Sequence, residues 1–306
     1  MLELIIIAVY FLSMIAIGLA SRRRAGGVDD FFVAGRKGST LLITGSLLAT
    51  IIGGSAIMVT SKLGFIQGLT GAWWLLVGTI GLVALGVFLA RRVREFRLYT
   101  LPELVEKQYD KRVALAGSIL IVVAWIGVVG AQIIAAGSIM SVLGVGSAQL
   151  WMVLFTGVFV VYTILGGQHA IIRTDSLQAV IIFAGIFSAL ALLLTYLGGL
   201  SGLKDSLSPE QFAFPIGSNF DSYELVKLLL LVGLAYVVGP DMYSRLFCAK
   251  DSKVARNSVF WVESSELSPI GSGEERPPFG YDANVSALDF TEAYFSSPVI
   301  RYMKAT

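Results

Sequence analysis

The stretch Leu47–Ser61, "LLATIIGGSAIMVTS", is almost wholly apolar, yet it carries Gly53 and Gly54 side by side at its centre. Each glycine costs a helix interior about 1 kcal/mol relative to alanine. Two readings are open at this point. Small residues let membrane helices approach closely. Alternatively, the helix unwinds here, freeing backbone carbonyls to face a cation and half-helix ends to face a solute.

The surrounding chain shows which solvent the stretch meets. It is 56% hydrophobic and 14% charged, against about 25% charged residues in soluble domains. Apolar runs of roughly 20 residues, the length that crosses a bilayer, recur through the first 250 residues. They fall at about 2–20, 40–66, 71–92, 112–143, 148–166, 174–198 and 223–247, which predicts seven membrane spans within a domain covering 1–262. The formal net charge of +2 gives no argument for nucleic acid, and the single cysteine, Cys248, excludes an internal disulfide.

Orientation follows from where the bases sit. Glu3 precedes the first run and "SRRR" follows it, which reads as an uncleaved anchor with its N-terminus outside. The segments "SRRRAGGVDDFFVAGRK" (21–37), "RRVREFRLYTLPELVEKQYDKR" (91–112), "GGQHAIIRTD" (166–175) and "SRLFCAKDSKVAR" (244–256) then share one side. That side is predicted to be cytoplasmic, in a plasma or inner membrane. Trp73 and Trp74 read as interfacial anchors.

A second interruption matches the first. The last run reads "LLLVGLAYVVGPDMYSRLF" (229–247), with Gly233 inside it and Gly239–Pro240 near its inner end. Proline removes a backbone donor and disfavours helix before it. With the first span set aside as peripheral, the interrupted helices are the first and sixth of a core. Paired broken helices at such positions point to an inverted-repeat secondary transporter.

Four motifs in order carry a family resemblance: "DDFFVAGRKGS" (29–39), "LYTLPELVEKQYDKRV" (98–113), "YTILGGQHAIIRTDSLQAVI" (162–181) and "GPDMYSRLFCAKDSKVAR" (239–256). With these, the chain resembles the sodium:solute symporter family over roughly residues 1–260. The resemblance implies an all-α multi-span membrane protein of the leucine-transporter type. That fold has two inverted repeats of five helices, of which the first and the start of the second are present. It also implies sodium as coupling ion and a small organic solute as cargo. By the same resemblance the carbonyls of Ala49 and Ile52 are sodium ligands, which suits a hard cation.

Individual side chains keep two readings each. Asp175 resembles an acidic residue on the family's inward sodium path; as plain structure, Thr174 and Asp175 suit a helix start. Gln178, one turn on, is placed similarly. Gln132 is the strongly polar residue in the middle of the fourth span, either touching solute or bonding a neighbouring helix. Ser55, after Gly53 and Gly54, is placed to reach solute or ion. Tyr236 sits near the family's aromatic gate residues, or simply packs. Ile51 and Ser55 are milder than the charged or amide side chains of several relatives, which argues against a sugar or strongly polar solute. His169, the one histidine, has no acidic or thiol cluster beside it in sequence, so no metal site is read there. Without a nucleophile–base pair, phosphate loop or zinc spacing, an enzyme is not expected. The rival reading is a seven-span receptor or sensor, which needs neither the paired breaks nor the four motifs.

Residues 263–306 change character, with four of the eight prolines and seven acids against three bases. The resemblance implies at least four more core helices here. The tail is therefore expected to be disordered or out of frame, and the chain a truncated, inactive copy.

Overall fold

Thr40–Ile51 (α3) lies at the centre of the molecule, because its apolar residues face helices on several sides at once. Ile43, Leu47, Ile51 and Ile52 are buried with Leu75, Leu82 and Leu85 from the following hairpin, Leu246 and Phe247, and Val259 and Val262. The computed structural model describes residues 2–142, 144 and 146–266. Around α3 run α1 (Leu2–Arg22), α2 (Val28–Val33), α4 (Gly54–Gln67), α5 (Trp73–Ala84), α6 (Ala90–Glu95), α7 (Leu101–Gln108), α8 (Lys111–Val142), α9 (Ala148–Leu197) and α10 (Gly199–Ser206). The chain closes with α11 (Ser222–Leu228), α12 (Leu234–Val238), α13 (Pro240–Cys248) and α14 (Ser252–Glu266). No named strand occurs among the described residues. The expected tail lies outside the described residues except for 263–266, which continue the backbone of α14.

Helix starts follow local chemistry. Ser39, Ser147 and Asp221 each accept a hydrogen bond from the amide three residues on, opening α3, α9 and α11. The outward faces are apolar: on α8, Leu115, Leu120, Val123 and Ile126 are all exposed. In water this would be an aggregation surface; in a bilayer it faces lipid.

Two of the long helical stretches each take in two of the apolar runs. Among the described residues five helical stretches are long and apolar enough to cross a membrane, among them Gly54–Glu95 at 42 residues and Ala148–Leu197 at 50. A straight 50-residue helix is about 75 Å long, against a hydrocarbon core of about 30 Å. Each is long enough for two crossings only if it bends, and each bends. The first turns through a 3-10 segment at Gly68–Ala72, with Gly68 at φ 65°. The second kinks at Gly167 (φ 52°, ψ −147°), a backbone state open to glycine, where a Cβ would stand 2.6 Å from the carbonyl oxygen of Phe31. Thus "GGQHAIIRTD" is a kinked helix and not the loop expected from its polarity.

Trp73 has protein partners at the start of α5. Its ring stacks on Phe214 at 5.2 Å, and its Nε1 donates to the carbonyl of Pro215 at 2.9 Å, tying the 209–220 loop to the start of α5. Asp175 does not start a helix: α9 resumes after Gly167 and Asp175 lies two turns in.

Candidate functional site: two broken helices and a buried ion pair

The glycine pair marks a real break. α3 ends at Ile51, Ile52 leaves helical space (φ −92°, ψ 56°), Gly53 is extended (φ −79°, ψ 171°), and α4 begins at Gly54. Leu48 still receives the Ile52 amide at 2.8 Å, and Gly53 receives that of Ile57 at 3.0 Å. Between these two bonds the carbonyls from Ala49 to Ile52 sit at a helix end, where the i+4 amides turn away. The structure therefore places both carbonyls named by the resemblance, Ala49 and Ile52, in the interrupted segment.

The reason for glycine at 53 is not backbone freedom, since its φ and ψ are open to any residue. A Cβ there would stand 3.0 Å from Nε2 and 3.4 Å from Oε1 of Gln132. Gln132, arriving on α8, donates from Nε2 to the Ser55 hydroxyl (2.8 Å) and accepts the Ser55 amide on Oε1 (3.3 Å). It thus satisfies an amide at the open start of α4. Gly53, Gly54, Ser55 and Gln132 lie together at the break. Tyr236 joins α5 instead: a Cβ on Gly78 would lie 3.0 Å from its Cζ.

The second break repeats the pattern. Leu229–Gly233 is a π turn, α12 stops at Val238, Gly239 is extended (φ −63°, ψ 124°), and Pro240 opens α13. Proline at that position gives up only an amide that has no partner anyway.

The α3 half of the first broken helix and the α13 half of the second meet on Asp175. Its Oδ2 accepts from the Ser46 hydroxyl at 2.6 Å and from Arg245 Nη2 at 3.2 Å, and Arg245 Nε donates to the Ser46 oxygen at 3.3 Å. Asp175 and Arg245 keep 12% and 16% of their side-chain surface, so the pair is largely out of water. Ser46 precedes Ala49 by three residues, about 4.5 Å along the helix axis. Arg245 and Ser46 were missed in the sequence. An arginine at the end of an apolar run reads as a membrane-edge charge, and one hydroxyl within α3 gives no signal of its own.

Other candidates fall elsewhere. Gln178 donates to the Tyr10 hydroxyl at 2.8 Å and so faces α1. His169, buried, has Nε2 3.6 Å from an oxygen of Asp30, a neighbour the sequence did not suggest. Among the described residues no group of three or more His, Cys, Asp or Glu is placed to hold a metal ion.

Two interrupted helices, joined at their inner halves and enclosed by long apolar helices, define a multi-span membrane protein of the leucine-transporter type. The comparisons name the branch: the model of the sodium:solute symporter family matches residues 31–263, and the chain belongs to that family. It is an integral membrane protein. It is 26% identical over 257 residues to a sodium/glucose cotransporter of Vibrio parahaemolyticus, covering 80% of this chain and 46% of that one. It is 25% identical over 304 residues to the osmoregulated proline transporter OpuE of Bacillus subtilis (strain 168), covering 94% and 61%. A solved structure of a sodium-coupled sialic acid symporter, substrate-bound and outward-open, superposes with a TM-score of 0.75 at 16% identity, covering 88% of this chain and 57% of that one. The chain spans about half the length of the curated relatives it matches. These matches give the rival receptor reading no support.

Proposed function

We propose that the protein serves sodium-coupled symport of a small organic solute across a plasma or inner membrane, in place of the inactive copy expected from the tail. In this reading sodium sits at the α3–α4 break on the carbonyls of Ala49 and Ile52. The observation that carries it is the break itself, which strips helical partners from those carbonyls while Gln132 steadies the other half-helix. Oxygen dipoles at a break suit a hard cation without burying a formal charge. Solute lies beside the same break, against Gly53, Gly54, Ser55 and Gln132, with Tyr236 as a more distant wall. Asp175 lies on the sodium's inward route, paired with Arg245 until the ion passes.

The relatives are named for glucose and for proline. Ser55, a small hydroxyl at the break, favours a solute less polar than a sugar; Ile51 is buried in the core and takes no part. The test is uptake by membrane vesicles from cells expressing the protein, with a panel of radiolabelled amino acids, sugars and carboxylates. An inward sodium gradient should concentrate one class, and a potassium gradient should not. Uptake indifferent to the cation would contradict the reading.

Orientation is tested by protease. With the N-terminus outside, the exposed Arg22–Arg24 run is cytoplasmic. Trypsin should cut there in inside-out vesicles and leave it whole in intact cells. Cleavage from outside the cell would reverse the topology.

A further inference from the structure

The turn between α13 and α14 is gripped from two sides. On one side Arg94, buried at the inner end of α6, donates from Nε to the carbonyl of Ala249 and from Nη2 to that of Lys250 at 3.1 Å. On the other, Gly38, just ahead of α3, donates its amide to the Cys248 carbonyl and accepts the Lys250 amide, both at 2.9 Å. The fit at Gly38 is close: a Cβ would stand 2.8 Å from the Cys248 oxygen. Cys248 and Ala249 are fully buried beneath these contacts.

Each part has a physical reason. The last carbonyls of α13 have no intrahelical amide, and a cation at a helix C-terminus is favourable. A guanidinium presents several donors in a fixed plane, so one side chain holds two neighbouring carbonyls; an ammonium does not hold them in that geometry. A buried guanidinium needs such partners, since leaving it unpaired is costly. Nothing in this arrangement touches Gly53, Gln132 or Asp175. What it joins is the start of α3 to the end of α13, the inner halves of the two broken helices.

We infer that Arg94 is a positioning residue for transport: with Gly38 it clamps the inner halves of α3 and α13 to α6, so that the two breaks move as one unit. Its use in transport rests on the sodium-coupled reading, whereas the clamp rests on geometry alone. Interfaces that hold several elements rigidly turn a small shift at one site into a collective motion. A sodium ion that draws on the end of α3 therefore also moves the turn at Cys248.

Cys248 is the single cysteine of the chain and reports on the clamp directly. In the full chain at fixed pH, Arg94→Gln should raise its rate of reaction with N-ethylmaleimide by roughly tenfold, through loss of two hydrogen bonds from a charged donor. Arg94→Lys should fall between wild type and Arg94→Gln. Gly38→Ala, which breaks the clamp from the other side, should also accelerate labelling. Tryptophan fluorescence on heating should stay cooperative in each. In wild type, replacing potassium by sodium should change the labelling rate, and Arg94→Gln should abolish that change. Wild-type labelling rates in both Arg94→Gln and Gly38→Ala, or acceleration only with loss of the cooperative transition, would overturn the clamp. A sodium effect undiminished in Arg94→Gln would overturn the positioning role. A wild-type rate indifferent to sodium, with Arg94→Gln still accelerated, supports the clamp and counts against the sodium-coupled reading.

Discussion

Arg245→Ala destabilises the protein by about 3–5 kcal/mol, the cost of stranding a buried partner charge. The stranded group is Asp175, whose Oδ2 keeps only the Ser46 hydroxyl once the guanidinium is gone. Asp175→Ala acts in the same direction, leaving Arg245 with neutral acceptors alone, the Ser46 and Ser244 hydroxyls and the Asp241 carbonyl. Removing both charges together is far milder. Asp175→Leu with Arg245→Met keeps volume while removing both desolvation costs, and such replacements are often neutral or stabilising. Denaturant unfolding of the purified protein in detergent, run as a double-mutant cycle, measures the coupling. Single and double effects that simply add would show that the pair is not coupled. The pair bridges α3, through Ser46, and α13, through Arg245, so its loss loosens both helices at once.

Gly53→Leu abolishes sodium-driven uptake while the protein inserts normally. Insertion is spared because the substitution adds apolar surface to an apolar run. Uptake is lost because the new side chain occupies the space of the Gln132 carboxamide, whose nitrogen lies 3.0 Å from the first added carbon. The overpacking costs roughly 1–3 kcal/mol and displaces the bonds that steady the start of α4. Gly53→Ala is the graded case. Its one carbon meets the far end of a flexible side chain, so Gln132→Ala in the same protein should return the lost space and part of the lost uptake. Wild-type uptake by Gly53→Leu would mean that Gln132 and the break play no part in transport.

The sequence made the breaks legible because helix formers fail there for reasons that need no partner. Gly239–Pro240 cannot continue a helix, and Gly53–Gly54 weakens one at its middle. Gln132 stood out for a similar reason: one amide in a long apolar run is costly enough to announce itself. Three features were hidden. The Gly167 kink looked like a loop, because polar residues at a membrane edge and polar residues buried in a bent helix read alike. The Ser46–Asp175–Arg245 cluster joins residues up to 199 positions apart, and no local pattern pairs them. Gly53 has a cause its own helix does not show: its extended backbone suits any residue, and the requirement for a bare Cα comes from Gln132 on another helix. Propensity and periodicity see a residue's own helix; approach between helices belongs to the packing.

The central claim is that the interrupted end of α3 holds a sodium ion on backbone oxygens. Equilibrium binding of radioactive sodium to the purified protein tests it most directly. Binding should be saturable, displaced by unlabelled sodium and not by the same concentration of potassium, retained in Arg94→Gln and lost in Gly53→Leu. Binding that does not saturate, that potassium displaces equally, or that survives intact in Gly53→Leu would contradict it.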